Sequence, residues 1–186
     1  MGGGIKMHSV LTNPFLSRLI MSTKRKIFVS YHHRQDQWYY NEFSRLFSDV
    51  YDVIQDNSLD RRIDSTNSDY VMRSIRENFI TGSSCTVVLC GAETFLRKFV
   101  DWEIKATLEK QHGLIGVNLP TARIGNLGKV IVPDRLHQNI VSGYALWVSW
   151  ADIIARPAFL GSYIECANSN GKALIKNGLP LKARNG

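Results

Sequence analysis

From residue 26 onward, two spacings of apolar residues alternate along the chain. Lys26-Ile27-Phe28-Val29-Ser30-Tyr31 is a short β-rich run. Tyr39, Phe43, Leu46, Phe47 and Val50 then recur at intervals of three and four, the mark of an amphipathic helix. A weak second strand is predicted over 51–55. Next comes a helix whose apolar face is Val71, Met72, Ile75 and Phe79, with Asn67 or Ser68 as its cap. Cys85-Thr86-Val87-Val88-Leu89-Cys90 is apolar on both faces, as a central parallel strand should be, and Gly91 ends it. The pattern continues with a helix over about 94–111, a fourth strand over 114–119 stopped by Pro120, a fifth over 146–150 and a last helical stretch over 159–175. Residues 121–145, with Gly125, Gly128, Pro133 and Gly143, read as loop. This alternation predicts an α/β fold: a five-stranded parallel sheet centred on Val87 to Leu89, with helices on both faces.

Residues 1–23 stand apart from this pattern. Gly2-Gly3-Gly4 is a flexible composition, and the apolar stretch over 10–21 is interrupted by Pro14 and Arg18. It is too short to span a bilayer and has no small-residue cleavage site, so it reads as an N-terminal extension that the fold does not need. Residues 24–186 read as one domain. No apolar run reaches about 18 residues, so no membrane span is expected.

Composition changes this picture little. Cys85, Cys90 and Cys166 make an odd number, and two of them sit in the central strand. Buried reduced thiols are therefore favoured over a disulfide, which suits a cytoplasmic protein. Their spacing does not match a zinc site. The net charge is +7 with a pI of about 9.5, which invites a polyanionic partner. The cations are scattered, however, and many lie near the ends, at Lys24, Arg25 and Lys26 and at Lys172, Lys176, Lys182 and Arg184. They read as solvated surface, and a nucleic-acid partner is not expected.

The informative anomaly lies in the helix over 94–111. At about 100° per residue, Phe95, Leu96, Phe99, Val100, Ala106 and Thr107 share one arc. Arg97, Lys98, Asp101, Lys105 and Glu109 occupy the opposite one. Glu103 falls among the apolar residues. A carboxylate there must be paired, protonated or facing a cavity. A structural ion pair is one reading. The helix follows a buried strand, so its first turns lie near the carboxyl edge of the sheet, where open α/β sheets bind ligands.

Ile27-Phe28-Val29-Ser30-Tyr31, with the polar loop and helix behind it, resembles the opening of TIR domains. Phe99-Val100-Asp101-Trp102-Glu103 resembles the TIR pattern that ends in a glutamate. Residues 26–120 are similar to the TIR-like proteins of bacterial Thoeris antiphage systems, and Pro133-Asp134-Arg135-Leu136 fits that group. The resemblance covers roughly residues 24–155. It implies a flavodoxin-like fold and cleavage of NAD⁺, as substrate rather than cofactor, at the nicotinamide–ribose bond. It further implies a cyclic or otherwise modified ADP-ribose that signals to a separate effector protein, and self-association. Phe99-Val100 departs from the common Trp-Cys, and the loop after the second strand is unusual. Both departures bear on substrate and product more than on fold.

In such chemistry Glu103 would be the catalytic carboxylate. Ser30, Tyr31, His32 and Arg34 are candidate substrate contacts from the loop after the first strand: Tyr31 by stacking, Arg34 by meeting a phosphate. Those four also read as ordinary surface loop. Asp56, with Asn57 and Ser58, ends the second strand on the same edge, and Arg61 and Arg62 follow. Trp102 either lines the pocket or packs on a neighbouring element. His32-His33 has no partner spacing for a metal. No Gly-x-Gly-x-x-Gly or P-loop is present, which disfavours ordinary dinucleotide-cofactor binding and NTP hydrolysis. Two other classes compete: a non-catalytic TIR-like adaptor that keeps the fold without the Glu103 chemistry, and a phospho-receiver-like domain, for which Ser30-Tyr31-His32 lacks the acidic pair.

Overall fold

The computed structural model describes residues 24–55 and 67–186. The expected N-terminal extension over 1–23, and Asp56, Asn57, Ser58, Arg61 and Arg62, lie outside the described residues.

Five strands form a single all-parallel sheet. They are β1 (Arg25–Ser30), β2 (Tyr51–Gln55), β3 (Cys85–Cys90), β4 (Gly113–Asn118) and β5 (Leu146–Ser149), in the order β2-β1-β3-β4-β5. Between them run α1 (Gln37–Phe47), α2 (Ser68–Ile75), α3 (Lys98–Glu109) and α4 (Asp134–Val141), and after β5 come α5 (Trp150–Ala155) and α6 (Leu160–Ser169). The two-faced apolar run is indeed the central strand: all six residues of β3 are buried. The strand order is the flavodoxin-like one.

Alternation along β1 sends Ile27 and Val29 to one face and Phe28 and Ser30 to the other. The first face packs on α1, α5 and α6 through Phe43, Phe47, Trp150, Ile153, Leu160 and Ile164. On the second, α3 and α4 meet Val88, Cys90 and Leu114 through Val100, Ile104, Leu108 and Leu136. Beside them Phe28 packs with Val71, Met72 and Ile75 of α2 and with Trp102 of α3. Asn67 caps α2 as expected, its side chain accepting from the Asp69 and Tyr70 N–H groups.

The helix expected over about 94–111 opens as a separate 3₁₀ turn, Thr94–Leu96, and α3 starts at Lys98. Three further boundaries differ from expectation, each for a local reason. The stretch read as loop over 121–145 contains α4, whose buried positions are Arg135, Leu136 and Asn139. Two of these three are polar, so the apolar period that announces a helix is absent. Trp150 starts α5 instead of ending β5, because Ser149 accepts from the Asp152 N–H at 3.0 Å and turns the chain into a helix. The last helix ends at Ser169, short of the expected 175, and Gly171 precedes a single 3₁₀ turn, Lys172–Leu174.

Candidate active site

β1 and β3 are neighbours whose following helices, α1 and α3, lie on opposite faces of the sheet. A crevice opens at the carboxyl ends of such a pair, because their loops part there. Ser30 ends β1 in register with Val88 of β3. It is completely buried, and its hydroxyl has no hydrogen-bond partner among the described residues. A buried polar atom left in that state calls for a ligand or a water.

Glu103 is 1% exposed, on the face of α3 turned to the sheet. One turn further along, Thr107 fixes the helix against the central strand. Its hydroxyl donates to the Glu103 carbonyl at 2.8 Å, so the 2.7 Å contact with Thr86 must be donated by the Thr86 hydroxyl. Helix and strand run in opposite senses across the β3–α3 connection. Moving back one turn, roughly 6 Å, from Thr107 and Thr86 brings Glu103 to the level of Val88 and hence of Ser30. The carboxylate and the unanswered hydroxyl therefore face the same end of the β1/β3 seam.

The other expected contacts divide. His32 is buried beside this edge, with Nδ1 4.0 Å from a Glu93 oxygen. Tyr31 belongs to the core beneath: its ring stacks on Tyr40 at 4.7 Å and 7°, and its hydroxyl donates to Gln37 at 3.0 Å. Arg34 is exposed on the loop and is not gathered with the others. Trp102 packs with Phe28, Met72 and Ile75, and its indole N–H donates to the Lys182 carbonyl at 2.9 Å, the packing alternative of its two readings. Asp56 lies outside the described residues.

Two features escaped the sequence. The first is Asp36, completely buried in the loop between β1 and α1. Its carboxylate accepts from the Thr94 hydroxyl at 3.0 Å, and Thr94 in turn accepts from the Gly91 N–H at 2.8 Å. Gly91 is needed here, since a Cβ at that position would run into the Asp36 carboxylate. Burial pushes the Asp36 carboxyl up to about 6, and the charge of Glu93 adds to that, while the Thr94 hydroxyl and the His32 backbone pull the other way. Asp36 thus ties the β1 loop to the β3 loop. In sequence it is only the last residue of a polar loop, and although it stands at the N-cap position its side chain makes no capping bond to α1.

The second is the pair Asp101 and Arg135. The helical wheel places Asp101 on the charged, outward arc of α3, yet it is 8% exposed and bound bidentately by Arg135, at 2.9 and 3.2 Å. Arg135 is wholly buried. Its remaining N–H groups go to the Asn177 side chain and to the carbonyls of Leu179 and Pro180, at 2.8 to 3.1 Å, so all five donors are answered.

A groove of about 450 Å³ lined by Lys24, Lys26, Ser48, Tyr51 and Asp52 lies at the opposite, amino edge of the sheet. Lys24 donates to the Ser48 carbonyl and Lys26 lies 3.8 Å from Asp52, so the groove presents paired cations far from Glu103. Among the described residues, no group of three His, Cys, Asp or Glu side chains is placed to hold a metal ion. No helix among them is long and apolar enough to cross a membrane.

The family model described as Thoeris protein ThsB, TIR-like domain, matches residues 28–124. That span runs from β1 through β4 and includes Ser30, Asp36, Gly91 and Glu103. No curated protein matches the chain. Among solved structures, the TIR domains of the activated Roq1 resistosome directly recognizing the pathogen effector XopQ align with a TM-score of 0.38 and 14% identity, over 80% of this chain and 86% of that one. So loose a likeness adds nothing to the fold, which rests on strand order and register.

Proposed function

Because the chain belongs to the TIR-like domain family of the Thoeris protein ThsB, we propose that it is an antiphage-defence enzyme that cleaves NAD⁺ with Glu103 as the catalytic carboxylate. The observation that carries this reading is the placement of Glu103. A carboxylate 1% exposed on the sheet-facing side of α3 stands at the level of a buried, unanswered Ser30 hydroxyl, at the switch point of the sheet.

The chemistry asks little of the protein. Nicotinamide leaves as a neutral ring, so the leaving group needs no strong general acid. Positive charge then develops at the ribose anomeric carbon. A fixed carboxylate in a site shielded from water stabilises that charge and can accept from the ribose hydroxyls. In this reading the buried Ser30 hydroxyl hydrogen-bonds the same sugar. Attack by water gives linear ADP-ribose and a proton. Attack by a group of the bound nucleotide gives a cyclic product, which depends on proximity and on exclusion of water. The product then serves as the signal to a separate effector protein.

Incubation with NAD⁺, with and without extract of phage-infected cells, followed by mass spectrometry, tests this directly. Release of nicotinamide together with an ADP-ribose species is expected. Intact NAD⁺ under both conditions would overturn the reading. It would favour the adaptor alternative, for which Trp38, 61% exposed at the head of α1, offers a contact for self-association.

A further inference from the structure

The helix that carries Glu103 does not cap itself. Arg97 occupies the N-cap position of α3, and its side chain makes no capping bond. It pairs with Glu93 instead. The N–H of Lys98, at the first helical position, is answered by the side-chain oxygen of Asn185, at 2.9 Å and 87 residues further along the chain. The Gly186 N–H donates to the Leu96 carbonyl at 3.2 Å, which closes a second bond at the same place.

The segment that delivers Asn185 is laid along α3 by a series of bonds. Asn177 donates to the Lys105 carbonyl at 3.3 Å. The Lys182 N–H donates to Asp101 at 3.0 Å, and the Lys182 carbonyl accepts from the Trp102 indole. One residue, Lys182, therefore holds both side chains that immediately precede Glu103. Arg135 anchors the segment through the carbonyls of Leu179 and Pro180 while binding Asp101 itself. Its contacts run from Lys105 back to Lys98 and bracket Glu103.

We propose that residues 176–186 form an external brace that sets the position of Glu103, with Asn185 as a positioning residue acting through the start of α3. The proposal rests on the reading of Glu103 given above. The first N–H groups of a helix have no partner within it, and an unanswered start frays. Fraying at 98–101 would loosen the turn at Glu103. A catalytic group displaced by about 1 Å loses on the order of 10²-fold in rate. Asn185 itself is exposed, whereas Ile104, Ala106 and Leu108 bury the helix in the core, so Asn185 can be changed without dismantling the fold.

The test compares the wild-type chain with Asn185→Ala, Asn185→Asp and a chain ending at residue 182. Amide hydrogen exchange at 98–103 is read against that at 85–90, alongside NAD⁺ turnover. Asn185→Ala is expected to speed exchange at 98–103 about fivefold, the effect of a lost cap, and to leave 85–90 unchanged. The truncated chain should do the same or more. Asn185→Asp, still an acceptor and favoured at a helix N-terminus, should restore the wild-type pattern. In turnover, Asn185→Ala should lower kcat with KM unchanged, and Asn185→Asp should recover it. Unchanged exchange at 98–103 would overturn the brace, and so would an equal rise at 85–90, which marks a merely global loss of stability. A local rise in exchange with kcat unchanged would overturn the positioning role. A wild-type chain that never cleaves NAD⁺ would refute the reading of the reaction and the positioning role with it, while the exchange pattern still decides the brace.

Discussion

Replacing Asp36 by asparagine separates a buried charge from the hydrogen bond that holds it. The carboxylate has no exposure to solvent, and burial raises its pKa from 3.8 to about 6, with Glu93 adding to the shift and Thr94 and the His32 backbone opposing it. A folded-state pKa above the unfolded value means that the native protein binds more protons between about pH 4 and pH 6. Stability from this group is therefore greatest at low pH, falls as pH rises through that window and is level above it. Two pKa units correspond to roughly 3 kcal/mol. The asparagine amide oxygen accepts the same bond from the Thr94 hydroxyl, and the side chain does not titrate. The difference in unfolding free energy between Asp36→Asn and wild type should thus shift by about 3 kcal/mol in favour of the variant between pH 4 and pH 7.5. Urea melts of both proteins at half-unit pH steps measure it, and the comparison cancels every other titrating group. Parallel profiles would refute the burial argument, and a shift in the opposite direction would show the carboxylate to be stabilised by a cation. Glu93→Gln should narrow the window by removing the charge that adds to the shift.

Arg135→Met should destabilise the fold by about 3–5 kcal/mol, since Asp101 is left buried without its cation. Arg135→Lys should recover little, because an ammonium cannot reproduce five planar donors, and denaturant melts check both. Gly91→Ala should lower stability by about 1–3 kcal/mol by driving the new methyl into Asp36. Pairing it with Asp36→Ala should relieve part of that loss, and a double-mutant cycle of melts would expose a simple sum as contrary evidence. Thr107→Val should cost about 1–3 kcal/mol, because the Thr86 hydroxyl loses its partner inside the core. A melt within about 0.5 kcal/mol of wild type, the range of an unremarkable surface change, would show that water replaces it.

The sheet was legible because burial on two faces leaves an unmistakable apolar run at 85–90, and because its neighbours alternate with amphipathic helices. Glu103 was legible for the converse reason: a periodic apolar face makes one carboxylate conspicuous. What the pattern concealed shares a physical cause. Asp36, Asp101, Arg135 and Asn139 are all buried by partners distant in sequence, through hydrogen bonds rather than apolar contact. Polarity in a short loop, or on the outer arc of a helix, looks the same whether it meets water or a distant carbonyl. For that reason α4 read as loop, Asp101 read as surface, and the segment after Ser169 read as more helix. Tyr31 and Trp102 read as candidate contacts themselves, because only packing distinguishes a ring that lines a crevice from one that stacks in the core.

The central claim is that Glu103 acts on the reaction and not on the fold. The direct measurement is NAD⁺ turnover by Glu103→Gln under conditions in which the wild type is active, taken with a urea melt of the same sample. Glutamine keeps the size and hydrogen-bonding capacity and removes the charge. Turnover should fall about 10²-fold or more, as when other electrostatic stabilisers are removed, with the melt unchanged or shifted upward because a buried charge has gone. Retained turnover with a melt lowered by about 3–5 kcal/mol, the signature of a broken buried ion pair, would contradict it.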